Sequence, residues 1–281
     1  VLDSAADFAT ADASIFGREM RVCGIAGDQQ AALIGQACFE PGMLKSTYGT
    51  GCFALVNTGK LAFKSRNRLL TTVAYQLGGE TYYALEGSIF IAGAVVQWLR
   101  DSLGIIKSAS DTEGLALEAD PNQNVMLVPA FTGLGAPYWN ADARGVLTGL
   151  ERSTGPKEIS KAALQSMGFQ TNDLMKAMRD DWNALEGSST KLRVDGGMTA
   201  NNYVLQSIAD FTGTVVERSK NLESTALGAA GLAALGAGWV ADLSALTDLW
   251  ELDASFTPSL EADERAGKLA AWEKAVGFVN G

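Results

Sequence analysis

The sequence contains no histidine among its 281 residues. Imidazole is the usual base of serine and cysteine triads and the commonest zinc ligand, so its absence excludes those sites and any imidazole-based pH switch. A proton acceptor in this protein must therefore be a carboxylate, a lysine or a tyrosine.

Cysteine is scarce as well. Cys23, Cys38 and Cys52 are odd in number, too few for a disulfide framework and without metal-ligand spacing. We expect reduced thiols and a cytoplasmic location. The acids Asp3 and Asp7 stand where a secretory signal would need a basic start and an apolar run, so we do not expect such a signal.

Positive charge is in deficit, with a formal net charge of −10 and a pI of about 4.6. A field of this sign repels polyanions, so nucleic acid is not an expected partner. A small polyphosphate can still bind, because backbone amides, helix N-termini and Mg²⁺ act locally. Long apolar runs are missing too: the uncharged stretch 224–241 is rich in Ala and Gly, which fits a helix packed on a sheet better than a membrane span.

Hydrophobic residues make up 47% of the chain, which is typical of a folded globular protein. Extended runs separated by glycine predict a small mixed sheet with strands over residues 44–48, 52–57, 69–77 and 81–85. Further strands are predicted over residues 125–130, 191–195 and 214–218. Strands that alternate with helices indicate a layered α/β sheet, whose ligands lie beyond the carboxyl ends of its strands.

Helical patterns occupy much of the remaining chain. We predict a helix within residues 24–39, after the turn at Gly27 and Asp28. Further helices are predicted over residues 87–102, 157–178 and 201–211, and one in the Ala- and Gly-rich stretch. Pro41 and Gly42 interrupt the chain after the first helix, so the best candidate domain boundary lies there. Residues 133–139 are predicted to form a loop.

A first candidate ligand-binding turn lies at residues 47–53, where Gly49 and Gly51 flank Thr50. Glycines let a backbone approach a ligand closely, so the turn could direct amides at a phosphate. A tight hairpin with a buried threonine would give the same pattern. It is not a Walker loop, because no Gly-Lys-Ser/Thr follows.

A second candidate turn lies at residues 194–202, where an apolar strand ends in Gly196 and Gly197 before a helix. A nucleotide could lie against these glycines, with Asn201 offering hydrogen bonds. An ordinary strand-to-helix turn in which Asn201 caps the helix explains the pattern equally well.

A third candidate is Asp28, which follows a small apolar segment and precedes a helix. Its carboxylate could accept the proton of an attacking hydroxyl in phosphoryl transfer. The alternatives are that Asp28 only caps the helix and that Gln29 is a surface amide.

Taken in order, five segments resemble the FGGY family of carbohydrate kinases, and most closely its glycerol-phosphorylating members. The five segments are residues 24–32, 47–53, 97–101, 129–139 and 193–197. The resemblance covers nearly the whole chain. It implies an actin-like, ribonuclease H-like α/β fold, with the chain as the C-terminal half of a two-domain sugar kinase. Residues 1–41 would be a remnant of the N-terminal substrate domain, and residues 42–281 the C-terminal nucleotide-binding domain.

The resemblance also implies an activity, the Mg²⁺-dependent transfer of a phosphoryl group from ATP to glycerol to give glycerol 3-phosphate. Asp28 matches the catalytic base and a substrate contact, while Gln29 and Phe53 match further polyol contacts. The positions that match nucleotide contacts are Gly49, Thr50, Gly51, Gly93, Gln97, Gly197 and Asn201. No residue is assigned as a metal ligand.

The sequence also departs from the family pattern. It lacks the family's first phosphate hairpin, of Asp-x-Gly-Thr type, and the arginine, glutamate and tyrosine that hold the polyol. We therefore expect the chain to be inactive without the missing N-terminal domain, and we expect the full-length enzyme to be a homo-oligomer. Two alternatives stay open: another FGGY kinase, such as one that phosphorylates a pentulose, and a non-catalytic nucleotide-binding or assembly module.

Overall fold

The computed structural model describes residues 1–182 and 191–280. The strands are β1 (Ala5–Ala11), β2 (Met20–Gly24), β3 (Leu44–Tyr48), β4 (Cys52–Gly59), β5 (Leu70–Leu77), β6 (Glu80–Ile89), β7 (Met126–Val128), β8 (Val146–Thr148), β9 (Leu192–Asp195), β10 (Val216–Ser219) and β11 (Leu252–Phe256). The helices are α1 (Ala13–Phe16), α2 (Asp28–Gly35), α3 (Gly93–Asp101), α4 (Asp111–Leu117), α5 (Pro156–Asp181), α6 (Asn202–Thr212), α7 (Ser224–Gly236), α8 (Ser244–Thr247) and α9 (Ala262–Gly277).

The largest sheet of the described chain is mixed and has the strand order β11-β10-β9-β3-β4-β6-β5. Its centre is β3, which pairs antiparallel with β4 and parallel with β9. In that register Thr47 lies between Phe53 on β4 and Asp195 on β9. Because parallel strands end at the same edge of a sheet, the glycine turns that follow Tyr48 and Asp195 leave the sheet side by side.

Most predicted elements are confirmed. The four strands that begin at Leu44, Cys52, Leu70 and Glu80 form the predicted mixed sheet, and the long helix is α5. Strands β7, β9 and β10 and helices α6 and α7 match as well, and residues 133–139 form a loop.

One predicted helix begins later than expected. Residues 87–89 belong to β6 rather than to a helix, because they continue the antiparallel ladder with β4 as far as the Cys52 and Ile89 pair, and α3 starts only at Gly93. Here strand pairing overrides local helical periodicity. Helix α2 begins at the predicted turn, at Asp28 after Gly27 in an extended conformation, but it ends at Gly35 rather than at residue 39.

Helices α2 and α7 lie in direct backbone contact. A Cβ atom on Gly35 would come within 1.9 Å of the carbonyl oxygen of Ser224, and one on Gly228 within 1.8 Å of the carbonyl oxygen of Ala31. The segment before the proposed boundary at residues 41 and 42 therefore packs tightly on α7, and the boundary itself stays a prediction. No helix within the described ranges combines the length and the apolar run needed to cross a bilayer.

The main core lies between the large sheet and helices α3, α5 and α6. It buries Leu44, Val56, Leu85, Leu164 and Val194, each less than 2% exposed. This packing fixes the face of the sheet that lies away from the candidate site and so holds the glycine turns in place.

Candidate nucleotide and polyol site

The turn between β3 and β4 is compact and open to solvent. The amide of Gly49 donates to the carbonyl of Gly51 at 2.9 Å, and Thr50 between them is exposed. The alternative of a hairpin with a buried threonine is therefore wrong on this point. The exposed hydroxyl and the glycine backbone are available to a ligand.

The start of α3 docks against this turn. The amide of Gly93 donates to the carbonyl of Gly49 at 2.9 Å, and the amides of Ala92 and Ala94 donate to the carbonyl of Thr50 at 2.9 and 3.0 Å. A Cβ atom on Gly93 would lie 2.6 Å from the Gly49 carbonyl oxygen and 3.1 Å from Cγ of Met198. The turn, the helix and the segment after β9 therefore meet at Gly93, where a side chain does not fit.

The second glycine corner follows β9. Gly196 has a φ of 92°, and a Cβ atom there would lie 2.5 Å from the carbonyl oxygen of Tyr48, so the corner packs directly on the end of β3. Gly197 begins a short 3-10 helix, is exposed, and has open space where its Cβ would be. A flat ligand could lie against this backbone, because nothing of the described chain covers it.

The structure thus brings together five of the residues predicted to contact a nucleotide: Gly49, Thr50, Gly51, Gly93 and Gly197. Gln97 itself lies one turn further along α3 and is exposed. Asn201 is different, because its side chain is already engaged: Oδ1 accepts from the amide of Val204 at 3.1 Å, and Nδ2 donates to Oγ1 of Thr112 at 3.2 Å. Helix capping, the alternative interpretation, describes this side chain, and its contact with a nucleotide stays a prediction.

Asp28 is the first residue of α2 and is exposed. Its Oδ1 accepts from the amide of Gln29 at 2.8 Å, and its Oδ2 lies 3.4 Å from Nε2 of the same residue. Gly27, not Asp28, occupies the N-cap position, although Asp28 accepts from a first-turn amide and so meets the capping alternative in part. An exposed carboxylate at the first turn of a helix is free to accept a proton from a bound hydroxyl.

Lys45 joins the three residues predicted to serve the polyol. Its Nζ donates to Oε1 of Gln29 at 2.5 Å and to the carbonyl of Phe53 at 3.4 Å, while Gln29 in turn reaches Asp28. The Phe53 side chain is 39% exposed and presents an aromatic surface at the same place. These residues form the predicted polyol side of the candidate site. It adjoins the predicted nucleotide corners, because Thr47 and Phe53 belong to the same β3–β4 hairpin.

Sequence reasoning missed Lys45 and Glu86. Burial lowers the pKa of the fully buried Lys45 ammonium, and the nearby Asp195 carboxylate opposes that effect. Burial raises the pKa of Glu86 on β6; the charge of Lys45 opposes this shift and that of Asp28 adds to it. The available signal was a lysine in the middle of a predicted strand, since charged residues are rarely buried there unless they are paired.

The side chains of the candidate site do not form a metal site made by protein alone. No group of three or more His, Cys, Asp or Glu side chains in the described ranges is arranged to hold a metal ion. In phosphoryl-transfer sites Mg²⁺ is held largely by water, substrate phosphates and one or two carboxylates, so this arrangement is compatible with a metal that arrives with its nucleotide.

Comparison with known proteins places the chain in a family. Residues 44–237 match the C-terminal domain of the FGGY family of carbohydrate kinases. The chain is 57% identical, over its whole length, to a glycerol kinase of Methylobacterium nodulans, of which it covers 56%. It is 58% identical to a glycerol kinase of Agrobacterium fabrum over 99% of the chain and 55% of that relative.

Solved structures agree with these sequence matches. A Plasmodium falciparum glycerol kinase crystallised with ADP superimposes with a TM-score of 0.89 at 36% identity, over 99% of this chain and 55% of that one. A xylulose kinase of Rhodospirillum rubrum superimposes with a TM-score of 0.79 at 21% identity, over 97% of this chain and 55% of that one, and shows the fold alone.

The fold is that of the actin-like, ribonuclease H-like sugar kinases, as predicted. The chain belongs to the FGGY family of carbohydrate kinases. It spans about half the length of the curated relatives that it matches, and the predicted resemblance to glycerol-phosphorylating members is confirmed.

Proposed function

We propose that this chain is the carboxy-terminal, nucleotide-binding part of an enzyme that transfers the γ-phosphoryl group of ATP to a terminal hydroxyl of glycerol. The observation that carries the proposal is the meeting of the two glycine corners at Gly93, with Asp28 and Gln29 on the adjoining polyol side. The similarity to glycerol kinases, one of them crystallised with ADP, supports this choice of substrates.

Each group has a distinct task in this proposal. Backbone amides around Thr50 and its hydroxyl approach the ATP phosphates, while adenosine lies against the open backbone of Gly197. Asp28 accepts the hydroxyl proton as that oxygen attacks the γ-phosphorus in line, and the bond to the bridging β–γ oxygen breaks to release ADP. Gln29 and Phe53 orient the polyol. When bound with the phosphates, Mg²⁺ would supply positive charge that offsets the charge developing during transfer.

The proposal includes the remainder of the enzyme. Because the chain spans about half of its relatives, we propose that the missing amino-terminal domain supplies the other phosphate hairpin and further polyol contacts, with residues 1–41 belonging to that domain. We also propose a homo-oligomeric full-length enzyme in the cytoplasm. The location is supported by the three cysteines, which are all unpaired and buried.

The proposal can be tested with a composite kinase. In this protein, residues 1–281 replace the matching segment of the Methylobacterium nodulans glycerol kinase. It should convert ATP and glycerol into ADP and glycerol 3-phosphate. Asp28→Asn should lower kcat by about a hundredfold or more, since a general base typically contributes that much. The matched control is Asp263→Asn, which removes another exposed carboxylate from the first turn of a helix and should leave kcat unchanged.

Two results would contradict the proposal. Activity of Asp28→Asn within about tenfold of the parent would exclude the base role. A strong preference for a pentulose in a polyol panel would assign the chain to a different substrate of the same family.

The non-catalytic alternative makes a separate prediction. Calorimetry of the isolated chain with ADP should detect no binding at micromolar concentrations, because half of the phosphate contacts are proposed to come from the other domain. Micromolar affinity would instead favour a competent stand-alone nucleotide-binding module.

A further inference from the structure

Lys45 is a completely buried cation behind the polyol side of the site. Its side chain is 0% exposed, and taking an ammonium group out of water is unfavourable unless its donors are satisfied. They are: Nζ donates to Oε1 of Gln29 at 2.5 Å, to Oγ1 of Thr47 at 3.1 Å and to the carbonyl of Phe53 at 3.4 Å. All three hydrogens therefore have an acceptor.

None of these acceptors is a carboxylate. The ion pairs found among the described residues do not include Lys45, although the charges of Asp195 and Glu86 lie close enough to favour its charged form. A buried lysine that served only to tie elements together would be expected to face a carboxylate directly, because unpaired buried charges are costly. The direct partner here is a neutral amide that itself belongs to the candidate site.

The chemistry of lysine fixes the orientation of that amide. An ammonium group only donates hydrogen bonds, so the oxygen of Gln29 must face Lys45 and its NH₂ group must face the other way. There Nε2 lies 3.4 Å from Oδ2 of Asp28. The result is a chain of hydrogen bonds, each donated in the same direction, from Lys45 through Gln29 to the carboxylate of Asp28.

We propose that Lys45 is a positioning residue of the phosphoryl transfer, which acts through Gln29 to orient the amide toward the polyol and to hold the carboxylate of Asp28. This inference rests on the proposed function. Without Lys45 the Gln29 amide is free to rotate, and its NH₂ group then competes for the acceptors that Lys45 leaves behind. The polyol loses a fixed donor while the nucleotide corners, which Lys45 does not contact, keep their geometry.

A purely structural role has a different signature. Methionine has nearly the volume of lysine, and replacing a buried charge with an apolar group of similar shape is often neutral for stability. If Lys45→Met only loosened the fold, the fraction of active enzyme would fall and both KM values would stay the same. If Lys45 positions Gln29, the polyol and nucleotide parameters should separate.

The test uses Lys45→Met, Gln29→Leu and the double variant in the composite kinase. We expect Lys45→Met to raise KM for glycerol and to lower kcat, each by about tenfold, since small misplacements of reacting groups carry penalties of this size. KM for ATP should stay within about twofold. In the Gln29→Leu background the lysine substitution should change kcat/KM for glycerol by less than about twofold, because residues that act as a unit are non-additive.

Two further variants keep the result interpretable. Lys60→Met removes an exposed ammonium, ion-paired with Glu80 beyond the end of β4, and should leave every parameter unchanged. Lys45→Gln keeps a hydrogen-bond donor on a side chain one bond shorter and should retain more of the glycerol affinity than Lys45→Met. If thermal unfolding shows that Lys45→Met does not fold, Lys45→Gln takes its place in the test.

The outcomes separate this inference from the proposed function. Unchanged glycerol kinetics in Lys45→Met, equal losses for glycerol and ATP, or multiplicative effects in the double variant would each overturn the role of Lys45 while leaving Asp28 as base. An inactive parent composite kinase, or an active Asp28→Asn variant, would count against the proposed function and take the role of Lys45 with it.

Discussion

The amide of Gly93 donates to the carbonyl of Gly49 at 2.9 Å. A side chain at position 93 does not fit, because its Cβ atom would lie 2.6 Å from that carbonyl oxygen. Gly49 lies in the hairpin turn after β3, and Gly93 begins α3. This contact also reaches Met198 in the segment after β9. A single glycine therefore determines how three chain segments, far apart in sequence, form one surface.

Gly93→Ala should distort that surface. The added Cβ would lie 2.6 Å from a backbone oxygen that cannot move without displacing the Thr50 turn. We expect the affinity of the composite kinase for ADP to fall by about tenfold, or ~1.4 kcal/mol, measured by isothermal titration calorimetry. The control is Gly267→Ala in α9, where a Cβ meets open space and affinity should not change. Unchanged ADP affinity in a folded Gly93→Ala protein would contradict the proposed nucleotide surface.

Gly228→Ala tests the contact between α2 and α7. Alanine normally stabilises a helix interior by about 1 kcal/mol relative to glycine. Here its Cβ would lie 1.8 Å from the carbonyl oxygen of Ala31, so the helices would have to separate. We expect a net loss of about 3 kcal/mol in the free energy of unfolding, measured with urea, because overpacking of this kind outweighs helix propensity.

Gly267→Ala is again the matched control, since it lies in α9 with open space at the Cβ position. It should raise the free energy of unfolding by about 0.5 to 1 kcal/mol. A stabilising effect of Gly228→Ala would show that the two helices are not in backbone contact.

Asp173 should make stability depend on pH. Burial raises the pKa of this carboxyl from 3.8 to about 6, although hydrogen bonds from Trp272 and Tyr138, at 2.7 and 2.8 Å, oppose the shift. The folded state therefore holds the proton more tightly than the unfolded state does. The free energy of unfolding contributed by this group is greatest below about pH 4 and falls as pH rises to about 6.

Asp173→Asn keeps an oxygen that can accept both hydrogen bonds and removes the titration. Relative to the parent, the variant should gain about 2 kcal/mol in free energy of unfolding between pH 4 and pH 7, less than the full shift would give because part of the residue meets solvent. Urea unfolding at a series of pH values measures this difference. A constant difference between the two proteins across that range would exclude the effect.

Cys38 and Cys52 should be inert in the native protein. Both side chains are fully buried, and burial raises the pKa of each thiol to about 12. Because the thiolate is the reactive form, iodoacetamide at pH 8 should not modify either residue until urea unfolds the chain. Peptide mass spectrometry of native and unfolded samples measures the labelling. Modification of either cysteine in the native protein would show that the structure around that cysteine opens readily.

Local patterns predicted much of the fold. Extended runs separated by glycine predicted β3 and β4, and a helical pattern predicted α5 from residue 157, one position after its first residue, Pro156. The start of α3 was predicted too early, because residues 87–89 pair with β4 across the sheet. The hairpin β1–β2 and helix α9, like the shorter elements α1, α4, α8, β8 and β11, were not predicted. Strands β1 and β2 pack on α7, and α9 packs on β7 and α6, so their positions depend on tertiary contacts.

The sequence by itself determined the identity and order of the two glycine corners, the carboxylate that begins α2 and the family resemblance that connects them. These features depend on residue type and on neighbours a few positions away. Only the tertiary structure decided that the corners meet at Gly93, that Asn201 caps a helix and that Lys45 is buried against Gln29. The physical reason is the parallel pairing of β3 with β9, which joins residues about 150 positions apart and leaves no trace in local periodicity.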